Sequence, residues 1–165
     1  MEQKNKKQSS NFKVGITHGD FNGVSYEVMI NSLRDNRLME LFVPVIYGLT
    51  KVLAYYRKAL KLNDFNYNIA QDASKLYMRK VNIINLSKDE VNIEPGKSSQ
   101  EAGEMAYLAL EKAIEDIQQN KIDVLVTAPL NKSNIQSDNF QFPGHTEYLA
   151  SSFNVSDYLM LMVHG

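Results

Sequence analysis

Residues 98–127, SSQEAGEMAYLALEKAIEDIQQNKIDVLVT, decide the fold class because a long helical pattern leads directly into a short apolar run. Small and apolar residues recur at the spacing of one helix face, at Ala102, Met105, Ala106, Ala109, Ala113 and Ile117. Ser98 and Glu101 have the spacing of a capping box, so we predict a helix from Ser98 to about Gln119. The alanines suit close packing on a sheet, and the run at 123–127 is predicted to be a strand of that sheet.

The order of a short strand followed by a longer helix recurs along the chain, which is typical of α/β folds with a mostly parallel sheet. The remaining predicted strands lie at 12–17, 42–47, 66–70, 81–86 and 158–163, and the remaining helices at 23–33, 52–62 and 146–153. Thr50 is a candidate cap for the second helix, and Pro44 favours either an edge position for its strand or a strand that begins after the proline. Val24, Val28 and Leu33 are predicted to lie near one face of the first helix. The predicted architecture is a three-layer α/β/α fold.

The composition excludes several classes of protein. The chain has 165 residues, of which 44% are hydrophobic, with a net charge of −1 and no cysteine. One domain with its own core is expected, without disulfides, thiolate metal centres or cysteine nucleophiles. Balanced charge disfavours nucleic acid and anionic membranes as partners, and the sequence has neither a signal peptide nor an apolar run of membrane-spanning length. We predict a cytoplasmic protein with a flexible tail at 1–11 and a folded part at 12–165.

Two nucleotide-binding motifs are incomplete. The GKS at 96–98 is similar to the end of a P-loop, but Val91 stands where the motif requires its first glycine. Gly15, Gly19 and Gly23 are spaced by four residues and do not form GxGxxG. The histidines, His18, His145 and His164, lack the close spacing of metal ligands, so no metal site is assigned to them.

The turn THGDFNG at 17–23 connects the first predicted strand to the first helix. Backbone N–H groups in such a turn, together with a helix N-terminus, can receive an anion or a carboxylate cap. Asp20 and Asn22 suit that role, and they suit ordinary turn chemistry as well. Asp20 is therefore a candidate supporting residue, and the sequence leaves the role of His18 open.

Two later motifs concentrate polar side chains. TAPLNK at 127–132 follows a predicted strand, so its lysine should emerge at the carboxyl edge of the sheet, where it could bind an anion or remain a solvated loop residue. PGHTEYLA at 143–150 places His145, Thr146 and Glu147 at the start of a helix, beside free backbone N–H groups. His145 and Thr146 could bind a polar substrate, and Glu147 could cap the helix or orient the histidine. A purely structural histidine is the alternative.

Four segments together resemble the 4-hydroxythreonine-4-phosphate dehydrogenase family. In chain order they are ITHGDFNGVSYEV (16–28), GKSSQEAGEMAYLALEKAI (96–114), VLVTAPLNK (124–132) and FPGHTEYLA (142–150). VTAPLNK followed by GHTEYLA is the specific part of the resemblance. The similarity extends over most of residues 13–163.

The resemblance implies a fold like that of the isocitrate and isopropylmalate dehydrogenases, which bind NAD without GxGxxG. It implies oxidation of 4-phosphooxy-L-threonine with NAD or NADP, followed by loss of carbon dioxide, in pyridoxal phosphate biosynthesis. The family acts as a homodimer with a divalent metal such as Zn, Mg or Co. Its substrate-binding His-Thr pair corresponds to His145 and Thr146, while Asn131 and Lys132 match a motif near the site and receive a supporting role.

The sequence departs from the family in two respects. Most members have a proline after the threonine of the first turn and another after its aspartate, where this chain has His18 and Phe21. The family's three metal-binding histidines all follow the GHTE motif at positions that would lie beyond Gly165. We therefore expect residues 12–165 to be the N-terminal portion of a longer, metal-dependent dehydrogenase. No catalytic residue or metal ligand is assigned to this chain, which is expected to be inactive alone.

Two alternatives remain open. The first is a non-catalytic relative that binds a phosphorylated metabolite or a partner chain. The second is a related dehydrogenase that acts on another phosphorylated hydroxy acid. The partners that the family resemblance implies are a small phosphorylated substrate and a second copy of the chain.

Overall fold

A computed structural model describes residues 12–164. The predicted flexible tail at 1–11 lies outside them. The strands are β1 (Lys13–Thr17), β2 (Val43–Gly48), β3 (Tyr67–Ala70), β4 (Val81–Asn85) and β5 (Val124–Thr127). The helices are α1 (Ser25–Leu33), α2 (Thr50–Ala59), α3 (Gln100–Gln118) and α4 (His145–Ser152), with a 3₁₀ turn at Asn36–Glu40.

The five strands form one parallel sheet in the order β3-β4-β2-β1-β5. Alternate residues of the central strands point to opposite faces, as the two-residue period of a strand requires. Ile46 and Ile83 pack with α1 and α2 on one face, whereas Val45 and Ile84 pack with the alanines of α3 on the other. This arrangement confirms the predicted α/β/α layers.

Helix α3 confirms the alanine stripe, because Ala102, Ala106, Ala109 and Ala113 are all buried. Its cap differs from the prediction by one residue. Ser99, not Ser98, precedes the helix, and its side chain accepts a hydrogen bond from the backbone N–H of Ala102. The Ser98 hydroxyl instead accepts a hydrogen bond from the Asn131 side chain, a tertiary contact that competes with capping.

Of the two alternatives predicted for Pro44, the edge position is wrong, since β2 lies between β4 and β1, and the strand itself begins at Val43, one residue before the proline. The backbone N–H of Val43 donates to the carbonyl of Phe12 on the β1 side, so the nitrogen of Pro44 faces β4. Pairing with β4 begins only at Val45, and the Asn82 side chain donates to the Pro44 carbonyl. The missing N–H therefore falls where the β4 ladder has not begun.

Of the three apolar residues predicted near one face of the first helix, only Leu33 is buried. Val24 and Val28 are 57% and 48% exposed. The buried positions are Ser25, Tyr26, Met29, Ile30 and Leu33, which also have helical spacing. The larger tyrosine decides the orientation, because its ring stacks on Tyr56 and its hydroxyl accepts the N–H of Leu49.

Two further local predictions are wrong. Thr50 is the first residue of α2 and does not cap it, because its N–H and hydroxyl both donate to the side chain of Asn85. Residues 158–163 form no strand and are exposed, with Met162 at 97%. An apolar, β-prone segment is buried only where a neighbouring layer covers it, and the described part of the chain provides none there. Within residues 12–164, no helix has the length and apolar character required to cross a bilayer.

Candidate functional site

The site is built at the carboxyl edge of the sheet, where β1 and β5 end side by side. Thr17 and Thr127 are register partners at the ends of these two parallel strands. The loops that follow must therefore emerge together, and this edge is where open α/β sheets place ligands. The motif THGDFNG (17–23) continues from β1 into the following loop, and the motif TAPLNK (127–132) continues from β5 into the loop after it.

The loop after β5 is tied to the turn after β1. The carbonyl oxygen of Pro129 accepts hydrogen bonds from the backbone N–H of Asp20 at 3.0 Å and from the hydroxyl of Ser25 at 2.9 Å. The side-chain amide of Asn134 donates to the carboxylate of Asp20 at 3.1 Å. The other carboxylate oxygen of Asp20 accepts the N–H of Asn22 at 2.8 Å. Asp20 thus has a structural role, because it joins the turn after β1 to the loop after β5.

Asn131 also makes structural hydrogen bonds. Its side-chain amide donates to the hydroxyl of Ser98 at 3.2 Å, and its side-chain oxygen accepts the N–H of Ser133 at 2.9 Å. The second contact closes an Asx turn, which fixes the direction of the loop. Lys132 therefore projects from a loop whose neighbouring residues are held.

A cleft of about 370 Å³ lies between this loop and the start of α4. Met160 contributes to one wall from the chain after α4. The other lining residues come from the two sequence motifs and are Pro129, Leu130, Lys132, Pro143, Gly144, His145, Thr146 and Glu147. The structure thus brings together four of the six predicted site residues, while Asp20 and Asn131 hold the loops outside the cleft.

The start of α4 presents free backbone donors to this cleft. Gly144 precedes the helix without a side-chain cap, and the backbone N–H of Tyr148 makes the first helical hydrogen bond, to the Gly144 carbonyl. In the part of the chain that the structure describes, the N–H groups of residues 145–147 have no hydrogen-bond acceptor. Free N–H groups at a helix N-terminus favour an anion.

Lys132 adds positive charge at the same place. A Cβ atom built on Gly144 would lie 4.0 Å from the Lys132 ammonium and 3.8 Å from the Glu147 carboxylate, so both groups flank the start of α4. No salt bridge within residues 12–164 involves Lys132. The ammonium is therefore available to an anionic ligand.

Burial lowers the pKa of His145, and the positive charge of Lys132 lowers it further. Both effects favour the neutral imidazole, which offers one donor and one acceptor. The cleft thus contains a neutral ring, the Thr146 hydroxyl, an ammonium group and free backbone N–H groups. This set suits a small ligand that carries hydroxyl groups together with an anionic group.

His18 lies away from the cleft and is fully buried. Its Nε2 is 3.1 Å from the carbonyl oxygen of Met105, and its ring lies beside Phe21 and Tyr26. Sequence reasoning left this residue open and did not single out Asn134 or Ser25. His18 lies in the first turn and Ser25 just after it, but the sequence does not reveal their roles, because all three residues act through contacts that the fold creates.

The described residues provide no metal centre. Within residues 12–164, no group of three or more histidine, aspartate or glutamate side chains could hold an ion.

Comparison with known proteins identifies the family. The model of the family "Pyridoxal phosphate biosynthetic protein PdxA" matches residues 40–165. A 4-hydroxythreonine-4-phosphate dehydrogenase from Bacteroides thetaiotaomicron is 44% identical over 157 residues, which are 94% of this chain and 43% of that protein. An Oceanobacillus iheyensis relative with the provisional name D-threonate 4-phosphate dehydrogenase is 34% identical over 152 residues, covering 90% of this chain and 46% of the relative.

A solved structure agrees with these matches. The crystal structure of a 4-hydroxythreonine-4-phosphate dehydrogenase from Burkholderia phymatum superposes with a TM-score of 0.80 and 31% identity, covering 88% of this chain and 44% of that one. The chain spans somewhat less than half the length of these relatives. The chain belongs to the PdxA family of pyridoxal phosphate biosynthetic proteins.

Proposed function

We propose that the complete protein oxidises 4-phosphooxy-L-threonine with NAD or NADP and that carbon dioxide is then lost from the product. The observation that carries this proposal is the 44% identity to a 4-hydroxythreonine-4-phosphate dehydrogenase over 94% of the chain. We further propose, from the family resemblance, a cytoplasmic homodimer that uses a divalent metal such as Zn, Mg or Co. Nucleic acid and membranes are not among its proposed partners.

The cleft supports a substrate-binding role for this part of the protein. The Thr146 hydroxyl and the neutral ring of His145 would bind polar groups of the substrate. The free N–H groups at the start of α4 and the Lys132 ammonium would favour its anionic group. Glu147 borders the same cleft and would limit how much negative charge the cleft accepts.

Metal and nicotinamide chemistry is assigned to no residue of this chain. Residues 12–164 form no cluster of metal ligands. We therefore propose that the 165-residue chain alone does not turn over substrate. Metal-dependent NADH formation by this chain alone would contradict that part of the proposal.

The proposed activity is tested with the complete protein. It is supplied with 4-phosphooxy-L-threonine, NAD or NADP and each of the three metals, and reduced nicotinamide is followed by absorbance. Carbon dioxide is measured in parallel, because the proposed reaction releases one molecule for each hydride transferred. Substrate-dependent formation of both products is expected. Tight binding of the substrate without turnover would favour the non-catalytic binding protein.

D-Threonate 4-phosphate is the second candidate substrate. The observation that favours it is the 34% identity to the Oceanobacillus relative with that provisional name. Both candidates carry a phosphate and a hydroxyl group, so the cleft described above would accept either. Comparing kcat/KM for the two compounds separates them, and a higher value for D-threonate 4-phosphate would replace the first proposal with the second.

A further inference from the structure

Within the loop after β5, the segment 129–134 is held at both ends, while Lys132 between those ends is exposed. At the first end, the Pro129 carbonyl accepts the Asp20 N–H at 3.0 Å and the Ser25 hydroxyl at 2.9 Å. At the second end, the Asn134 amide donates to the Asp20 carboxylate at 3.1 Å. Asp20 therefore contacts both ends of the segment 129–134, which carries the lysine.

Asp20 itself does not reach the cleft. It is 7% exposed and does not line the cavity. One of its carboxylate oxygens accepts from Asn134 and the other from the N–H of Asn22, so its carboxylate is committed to the scaffold. A buried carboxylate costs folding free energy unless it is hydrogen-bonded, which makes these contacts obligatory rather than incidental.

The loop is also enclosed by backbone on two sides. A Cβ atom at Gly103 of α3 would overlap the carbonyl oxygen of Asn134, and a Cβ atom at Gly19 would overlap that of Pro129. Close packing of this kind transmits displacements instead of absorbing them. A change at Asp20 is therefore expected to move the loop that carries Lys132.

We infer that Asp20 is a positioning residue for the cleft, which holds the Lys132 ammonium beside Gly144 and His145 through its contacts with Asn134 and Pro129. The role in substrate binding rests on the proposed function. The geometric part of the inference does not, since it concerns only the residues of this chain.

The direction in which the pKa of His145 changes distinguishes a positioning role of Asp20 from a direct effect of its negative charge. The titratable groups that line the cleft with it are Lys132 and Glu147. Burial and then the Lys132 charge lower the pKa of His145. Loss of the Asp20 negative charge, acting only through space, would lower that pKa further. Release of Lys132 from its position would raise it.

The experiment is an NMR titration of the His145 ring in the 165-residue chain. The variants are Asn134→Ala, Asp20→Ala, Lys132→Met and the double variant Asp20→Ala/Lys132→Met. Asn139→Ala and Asp138→Ala are matched controls, because both side chains are exposed on the same loop. Circular dichroism establishes that each variant is folded. Asn134→Ala changes no charge and leaves the Asp20 carboxylate in place, so it tests the inference even if Asp20→Ala fails to fold.

We expect Asn134→Ala, Asp20→Ala and Lys132→Met each to raise the pKa of His145, and the two controls to leave it unchanged. The double variant should match Lys132→Met, because Asp20 acts through the lysine. An unchanged or lower pKa in Asn134→Ala would overturn the inference, as would a double variant whose shift is the sum of the two single shifts. No substrate is used, so failure of the proposed function would leave this result intact.

Discussion

The Nε2 atom of His18 lies 3.1 Å from the carbonyl oxygen of Met105, which joins the end of β1 to the middle of α3. The contact requires a proton on Nε2, and full burial of the ring favours its neutral form, in which Nδ1 has no hydrogen-bond partner among residues 12–164. Burial lowers the pKa of His18 to about 4, against the opposing effect of the hydrogen bond to Met105. The residue that replaces the usual proline of this turn is thus a buried base.

Because His18 is a buried base, we predict that the protein loses stability in mild acid. The folded pKa of about 4 is below the ordinary value of 6.5, so the contribution is fully present above pH 6.5 and is lost as the pH falls towards 4. The slope should approach about 1.4 kcal/mol per pH unit. Urea unfolding across this range measures it. His18→Gln keeps an N–H donor without the titration and should flatten the slope, whereas exposed His164→Gln should not. Equal slopes in both variants would contradict the pKa assignment.

A second prediction concerns the buried carboxylate of Asp116. The hydroxyl of Tyr47 donates to it at 2.9 Å, and Lys121 and Lys112 lie at 3.3 Å and 3.5 Å. Tyr47→Phe removes a hydrogen bond to a charged group and should lower the free energy of unfolding by about 1.5–3 kcal/mol. Tyr55→Phe is the matched control on an exposed ring. Equal unfolding midpoints in urea for the two variants would show that the contact contributes nothing.

Gly103→Ala tests the packing of α3 on the loop after β5. Alanine in a helix is normally favourable by roughly 1 kcal/mol over glycine. Here the added Cβ would overlap the backbone oxygen of Asn134, so we expect a net destabilisation of about 1–3 kcal/mol instead. Urea unfolding measures the change, with Glu104→Ala in the same turn as the control. A variant as stable as the parent would place the loop farther from α3 than the structure does.

Lys132→Met tests anion recognition in the complete protein. The ammonium flanks the start of α4 without a salt-bridge partner in the described part of the chain, so its loss should fall mainly on substrate binding. A charge-assisted contact of about 1.5–3 kcal/mol corresponds to a roughly ten- to hundredfold rise in KM, with a smaller change in kcat. Lys88→Met removes an exposed lysine elsewhere and should leave both constants unchanged. A KM equal to that of the parent would exclude Lys132 from the anion site.

The repeating features of the fold could be predicted from sequence. The alanine stripe of α3 and the apolar runs of β1, β2 and β4 record burial directly, whereas β5 is an edge strand whose Val124 and Val126 are exposed. Features that depend on a partner elsewhere in the chain were missed. The one-residue error at Ser98 and the central position of Pro44 both result from tertiary contacts, with Asn131 and Asn82 respectively.

In the candidate site, too, residues in short motifs could be predicted, whereas contacts between distant residues could not. Lys132, His145, Thr146 and Glu147 belong to two compact motifs, and the fold brings them into one cleft. Asp20 was predicted near the site from its turn, but its structural partner Asn134 lies 114 positions away. No local spacing encodes that contact, so the residues that hold the cleft in shape become visible only in the folded chain.

The start of α4 is proposed to bind the substrate, and substitution of Thr146 tests this role most directly. The measurement is the dissociation constant of 4-phosphooxy-L-threonine for the complete protein and for Thr146→Ala, Thr146→Ser and Ser151→Ala. Ser151 carries an exposed hydroxyl on the same helix and serves as the matched control. We expect Thr146→Ala to weaken binding roughly tenfold, which corresponds to about 1.4 kcal/mol, while Thr146→Ser and Ser151→Ala bind like the parent. Unchanged affinity in Thr146→Ala would contradict the assignment of this cleft.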